Sequence, residues 1–563
     1  MSARPLAVYC NWSAYDELSD PDHPVPLTED LAMAQLAELV RLRRQGVRFD
    51  VYLMDCFWYA PDGGYRTWRT PHFPAGGDRW LAACREAGVL PGLWIGLNSL
   101  STSKVAHPDW AASLSADGRR ASLSAGPFLA HLVAGLEHWY DRGVRLFKFD
   151  FADLGAGTPD QVATLLPSDL RAANAAALRG ALAAFRRTRP DCRLIAYNGL
   201  EETYLQGGTA DWGRRSLDTR WMECFDTVYT GDPRPADVPA ADFWRSKDVY
   251  SDHLVRSYHA QGWPLERLDN AGFMIGTTAT CYHRGVAGWK GMLLLSLARG
   301  GGITTFYGNL DLIDDTDARW WAEAQTRHDR LQAAGTVTAF GGIPGCAAAY
   351  GWASEAGMDG LWTAVNPAQA RTTLRIPGAA GATVVFHDGT AVPDLRTDGD
   401  DLLADLAPEQ LLVVGRGCGA GTLGTEPTGP RAADLVPVAA VVRQDPTAPF
   451  RIPNRTEAVV AEPPAGVLRI VVRQVRGGRP HRSCGLHHGW GLLPHDRMLT
   501  ITAEQGGAPL AVARSDDKAV WAGLSWAVGR IEPAPGRGPV LIRVAAAEPL
   551  PVDLGISVFA ERP

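Results

Sequence analysis

Residues 144–153 read Val-Arg-Leu-Phe-Lys-Phe-Asp-Phe-Ala-Asp. Lys148 and Asp150 stand two apart inside an otherwise apolar, aromatic run. Successive side chains of a strand point to opposite faces, so both charges share one face and Phe147, Phe149 and Phe151 share the other. Burying an unpaired charge is costly, so the two either neutralise each other or face a polar cleft. Lysine is scarce here, five against fifty arginines. Its presence at this position suggests that a compact ammonium is needed where a guanidinium fork would not serve. The stretch therefore reads either as a buried structural ion pair or as a carboxylate nucleophile with a cationic neighbour, at the C-terminal end of a barrel strand.

Outward from this strand, the first 340 residues alternate short apolar runs with longer helical patterns. Strands are expected at 6–12, 48–57, 90–97, 144–151, 193–198, 224–230, 272–278 and 302–307, and helices at 29–45, 78–87, 127–142, 169–188 and 316–334. Eight strands alternating with helices predict an α/β fold, a (β/α)8 TIM barrel over residues 1–340. Polar residues fall at the strand ends, where such a barrel gathers its site: Asn11, Asp55, Asn98, Lys148, Asp150, Asn198, Asp232, Thr277 and Asn309. After about residue 340 the helical period fades and short alternating segments take over. These predict C-terminal antiparallel β-sandwich domains: one over 341–430 packed on the barrel, and a second β-rich accessory domain over 431–563. The Gly/Pro/Thr-rich stretch 416–435 is the expected connector.

The net charge of −7 and pI near 6.1 give no argument for nucleic acid or an anionic membrane. No apolar run is long enough to span a bilayer. Nine cysteines are scattered without zinc spacing, and the N-terminal residues lack a signal-peptide pattern. The expectation is a cytoplasmic protein with reduced thiols, no cofactor and no metal, with a homo-oligomer left open. Ser483–Gly489, which includes His487 and His488, resembles a metal site only weakly. Of the nineteen tryptophans, Trp58 and Trp94 lie near strand ends, where they read as core or as platforms for the C–H face of a sugar.

Covalent glycoside chemistry needs two carboxyls, one to attack the anomeric carbon and one to protonate the leaving oxygen. Asp150 is the candidate nucleophile, with Lys148 lowering its pKa by proximity. The candidate acid/base is Asp232, in Thr230-Gly231-Asp232-Pro233 after the sixth strand. Taken alone that tetrapeptide reads as a β-turn; its place two strands after Asp150 favours the catalytic reading.

With these residues in order, the chain resembles the α-galactosidase clan, families 27 and 36 of the glycoside hydrolases, to which family 31 is related. Phe-Lys-Phe-Asp at 147–150 is similar to the clan's Lys-x-Asp nucleophile strand, and HFPAGGDRWLAACREAGVLPGLWIG at 72–96 resembles a family 36 stretch ending in Gly-Leu-Trp. Asp55 matches the clan's second-strand sugar-binding Asp, and Asp232 falls at its acid/base position. The resemblance covers about residues 5–340 and implies a retaining α-glycosidase, probing an oligosaccharide or glycoside with Asp55, Lys148, Trp58, Trp94, Asn198 and Tyr282. There are departures. Family 36 proteins usually carry an N-terminal β-domain, whereas this sequence starts on the barrel. The sixth-strand Arg is absent, and the fifth strand ends Tyr-Asn-Gly-Leu-Glu-Glu-Thr rather than in a cysteine- and glycine-rich loop. These bear on which sugar is bound. A transglycosylase of the raffinose-synthase type and a non-catalytic carbohydrate-binding protein are the alternatives. Two further aspartates have structural readings: Asp153 as the cap of the next turn and Asp252 as part of a solvated helix face.

Overall fold

The computed structural model describes residues 4–561 apart from 13, 16–26, 61–63, 101–107, 198, 201–216, 231–250, 277–287, 345–347, 369–370, 389–390, 408–409, 427–434, 443–454, 477–478, 481–498, 515–525 and 547–552. Eight parallel strands lie in the predicted places: β1 (Leu6–Cys10), β2 (Val51–Met54), β3 (Leu90–Ile95), β4 (Leu146–Phe149), β5 (Arg193–Ala196), β6 (Thr227–Val228), β7 (Asn270–Ile275) and β8 (Ile303–Gly308). Their order in the sheet is β6-β5-β4-β3-β2-β1-β8-β7. A parallel bridge between Val228 and Leu268 joins the two ends, with the Asp269 amide donating to the Val228 carbonyl at 2.8 Å. The sheet is thus closed into a (β/α)8 barrel, and its thinnest seam lies between β6 and β7.

Alternation sorts the strand residues into two cores. Val8, Cys10, Val51, Leu53, Leu146, Ile195, Ala271 and Ile303 fill the barrel interior. Phe147 and Phe149 point outward, against Phe185 and Phe225 of the helical layer. Phe151 departs from the predicted alternation. Its φ of +51° ends the strand in a left-handed turn, and its ring meets Trp94 at 5.9 Å.

The predicted helices form as α1 (Glu29–Arg44), α2 (Asp78–Glu86), α3 (Phe128–Asp141), α5 (Pro167–Thr188) and α8 (Asp315–Ala334). Thr28 caps α1 by accepting from the Leu31 amide, and Asp314 caps α8 through the amides of Thr316 and Asp317. Three more helices are present: α4 (Pro159–Thr164), α6 (His253–Ala260) and α7 (Trp289–Arg299). Among the described residues, no helix is long and apolar enough to cross a membrane. All of α7 is buried except the partly exposed Lys290, because it lies between β7 and the first β-sandwich. A helix apolar on every side shows no amphipathic period, which is why the pattern does not reveal it.

The sandwich begins at Thr336, ahead of residue 341, directly after α8. A six-stranded sheet that includes Thr336–Gly341, Tyr350–Ala356, Asp359–Val365 and Leu411–Arg416 accompanies a three-stranded one. Tyr350, Trp352, Leu361 and Val413 belong to the same apolar cluster as the barrel's outer layer. Asp252 is part of this junction and not of a solvated face. It is fully buried and accepts from Tyr350 Oη at 2.8 Å and Trp352 Nε1 at 3.3 Å. The described residues between 435 and 561 form a six-stranded and a four-stranded sheet around a separate cluster that includes Leu468, Ile470, Ile501 and Ile542.

His328, inside α8, gives a pH test of the fold. Burial pushes its pKa down to about 3, with the Arg327 charge adding to the effect. The folded protein therefore keeps it neutral where the unfolded chain, with an ordinary value of about 6.5, binds a proton. Its stabilising contribution is full above about pH 6.5 and falls by at most ~1.4 kcal/mol per pH unit on acidification, levelling below about 3. His328→Leu should flatten the fall in Tm between pH 6 and pH 4; an unchanged slope would exclude this source. We also propose that residues 431–563 fold as a separate unit. Deleting them should leave the near-UV circular dichroism of the barrel largely intact, and its collapse would show that the barrel depends on them.

Candidate active site

The residue parity of β4 carries Leu146, Lys148 and Asp150 inward and up towards the barrel mouth. Lys148 does not turn to Asp150 for its ion pair. Its ammonium reaches the Asp55 carboxylate beyond β2 at 2.9 Å, with side chains only 5% and 2% exposed. Cys10 Sγ donates to the same oxygen, Asp55 Oδ2, at 3.0 Å, while the Cys56 amide donates to Oδ1 at 2.8 Å. Asn11, at the end of β1, accepts from the Asp55 amide at 2.8 Å and so fixes the backbone from which this carboxylate extends.

Burial alone would lower the Lys148 pKa. The carboxylate charges of Asp55 and Asp150 outweigh it, so the value is raised. Burial, then Asp55, pushes the Cys10 thiol well up, which keeps it a donor. For a lysine whose folded pKa lies above its unfolded value of about 10.4, the linked stabilisation is full below that value. It is lost only as the pH rises through the folded value, so the pair is insensitive to pH near neutrality.

Asp150 lies one step above this floor and is 8% exposed. Its Oδ1 accepts from the Phe151 amide at 2.9 Å and its Oδ2 from Trp94 Nε1 at 3.2 Å. Both donors favour the carboxylate form and fix its plane. Trp94 stacks on Tyr59, with centroids 5.7 Å apart and planes within 8°.

The other predicted residues divide. Trp58 is 0% exposed and packs on Trp68 and Trp139 behind the barrel wall, its Nε1 donating to the Trp94 carbonyl at 2.9 Å. It supports Trp94 and offers no face to a sugar. The reason is local: Phe57 takes a φ of +75°, which breaks the strand alternation just before Trp58. Asn98 holds the Asp153 amide and carbonyl at 2.8 Å each, bracing the loop after β4. Asp153 accepts from the Gly155 amide at 2.9 Å, the turn-capping role expected of it, and pairs with Arg120 at 3.1 Å. Asn198, Asp232, Thr277, Tyr282 and the Ser483–Gly489 stretch lie outside the described residues.

Sequence reasoning missed two tyrosines. Tyr197 and Tyr307 are inward residues by the same parity as Ile195 and Ile303, so extending each strand's alternation by one step would have found them. The Lys148 ammonium lies 4.0 Å from the ring centroid of Tyr197 and 5.6 Å from that of Tyr307. The two hydroxyls bond each other, and Tyr197 Oη donates to Asp269 Oδ2 at 3.0 Å.

No family model matches the chain, and no curated protein matches it. Among solved structures it is similar to the galactosidase domain of the α-galactosidase-sucrose kinase AgaSK, at 12% identity over 74% of this chain and 55% of that one, with a TM-score of 0.47. It is also similar to the family 36 α-galactosidase AgaA of Geobacillus stearothermophilus, at 12% identity over 74% and 56%, TM-score 0.47. A third is Amy13B of Eubacterium rectale, at 11% identity over 74% and 96%, TM-score 0.46. The chain thus spans a little over half the length of the two galactosidase structures.

Removing one member of the buried pair strands the other. Lys148→Met should cost ~3–5 kcal/mol, because Asp55 is left charged and enclosed. Lys148→Met with Asp55→Leu should recover much of that loss in denaturant titrations. Additive losses would mean that the pair is not coupled.

Proposed function

We propose that the protein is a retaining α-glycosidase of α-galactosidase-like type, working by double displacement through a covalent glycosyl-aspartate at Asp150. The observation that carries this reading is the Asp150 carboxylate at the barrel mouth. It is held by an indole N–H and a backbone amide, above a floor whose own charges, Lys148 and Asp55, compensate each other. A carboxylate fixed in plane at the C-terminal end of a barrel strand is where this fold places catalytic groups.

In the first step an Asp150 oxygen attacks the anomeric carbon, and the leaving oxygen departs with the proton of Asp232. In the second, Asp232 takes a proton from water, the hydroxide displaces Asp150, and the carboxylate is regenerated. Asp232 enters on its sequence position after β6. In this reading the underside of the sugar rests on the floor, where Lys148 donates to a hydroxyl and Asp55 accepts. Trp94, 1% exposed with its ring on Tyr59, holds Asp150 from behind and, like Trp58, is not a platform for the sugar, while Asn198 and Tyr282 complete the pocket. The substrate is an oligosaccharide or simple glycoside.

A panel of aryl α- and β-glycosides tests the reading through chromophore release, with the product anomer read by NMR. α-Specific release with retention is expected. Inversion would remove Asp150 as nucleophile, and added acceptor sugars would reveal transglycosylation. Asp150→Ala should lose several orders of magnitude in kcat with partial rescue by azide; near-normal turnover would refute the assignment. Asp232→Asn should slow substrates with poor leaving groups far more than activated aryl glycosides, since only the former need protonation. Equal losses on both would exclude it as the acid.

A further inference from the structure

Asp269 is 1% exposed and stands just before β7. Its backbone is fixed from three sides. Its amide donates to Val228 at the barrel seam, and its carbonyl accepts from Thr230 Oγ1 at 2.8 Å and Arg299 Nη2 at 2.6 Å. Arg299 is fully buried, and its guanidinium feels the charges of both Asp252 and Asp269. Asp252 in turn carries the two bonds from the sandwich residues Tyr350 and Trp352. From this anchored position the Asp269 carboxylate accepts from Tyr197 Oη at 3.0 Å, and Tyr197 is bonded to Tyr307.

Two tyrosine rings locked in this way form a seat. The Lys148 ammonium lies 4.0 Å from one ring and 5.6 Å from the other, with Asp55 opposite. A cation near aromatic faces is attracted by their quadrupoles, an effect strengthened by desolvation. The attraction is directional only if the rings cannot turn, and nothing in a phenol ring itself fixes its tilt. A buried hydrogen bond to a carboxylate does so.

We propose that Asp269 is a positioning residue: through Tyr197 and Tyr307 it fixes the Lys148 ammonium on Asp55 and, with it, the charge beneath Asp150. The catalytic part rests on the glycosidase reading above, whereas the seating of Lys148 does not. The network also makes the first β-sandwich part of the site's support, because Tyr350 and Trp352 hold Asp252 beside the Arg299 that grips Asp269.

The full-length protein tests this through the reactivity of its lysines. N-acetoxysuccinimide would be applied under native conditions and modification read by peptide mass spectrometry. Lys290, paired with Asp317 at 2.7 Å and 18% exposed, serves as the internal control. Asp269→Asn and Tyr197→Phe should each raise the acetylation rate of Lys148 about tenfold with Lys290 unchanged within twofold, and the double variant should add nothing beyond Tyr197→Phe, which already removes the bond that the uncharged amide of Asp269→Asn only weakens. Tyr197→Phe keeps the ring and its volume, so it decides the matter if Asp269→Asn does not fold. Unchanged Lys148 reactivity, or both lysines rising together, overturns the proposal. In the activity arm, kcat/KM on an aryl α-glycoside should fall about tenfold in either variant. A wild-type protein inactive on every glycoside removes the proposed function and leaves the acetylation result to decide the seating. An active wild type with unimpaired variants and unchanged Lys148 reactivity removes the seating alone.

Discussion

The site depends on one ammonium kept charged in a barrel interior. Lys148 is 4% exposed and sits above a layer of Val8, Leu53, Leu146 and Ile195. Isolated there it would lose its proton or unfold the barrel. It remains charged because β2 supplies a carboxylate, and the residues at the ends of β5 and β8 supply aromatic faces. The compensation comes from parts of the chain that meet only when the barrel closes. The lysine is protonated in the unfolded chain as well, so folding must carry its charge into the interior together with these partners, and the floor of the site cannot form in a partly paired sheet.

Closure itself is uneven. Five or six residues build β1, β3, β7 and β8, but β6 has two and meets β7 through one bridge. The outer layer meets this thin seam with its most enclosed helix. α7 packs on β7 and is covered on its far side by the sandwich strands at Tyr350–Ala356 and Asp359–Val365. Arg299, at the end of α7, donates to the carbonyls of Leu268 and Asp269 along the seam. The sandwich thus buries the helix that reinforces the least paired part of the barrel.

Much of this was legible in the sequence, and the gaps have physical causes. All eight strands are readable because a strand buried on both sides is a short apolar run bounded by turn residues. α7 is not readable because burial on every side erases the period that marks a helix. Asp252 looks like part of a solvated face because its neighbours are charged, but only tertiary contact can reveal that Tyr350 and Trp352 donate to it. The pairing of Lys148 was the least accessible step. Residues two apart on a strand share a face and lie within reach of each other, so a direct pair between Lys148 and Asp150 was as legible as any other. The counter-charge comes instead from Asp55 beyond another strand, and nothing local in Phe-Lys-Phe-Asp says so. The family resemblance put Asp55 in the same pocket as a sugar ligand, and the structure adds that it is the lysine's partner.

This arrangement changes what the Lys-x-Asp pattern means for Asp150. If Lys148 were bonded directly to it, the carboxylate would be a satisfied structural ion, stabilised against reaction by the ammonium. With Lys148 committed to Asp55, the Trp94 indole and the Phe151 amide, both neutral, are among the donors that hold Asp150. Such donors fix the carboxylate without adding a contacting counter-charge, so less is lost when it shares its electrons with an electrophilic carbon. The ammonium still acts on Asp150 through space and favours its ionised form. Separating the two roles, contact with Asp55 and field on Asp150, lets one lysine hold the floor together while the carboxylate above it keeps its nucleophilicity.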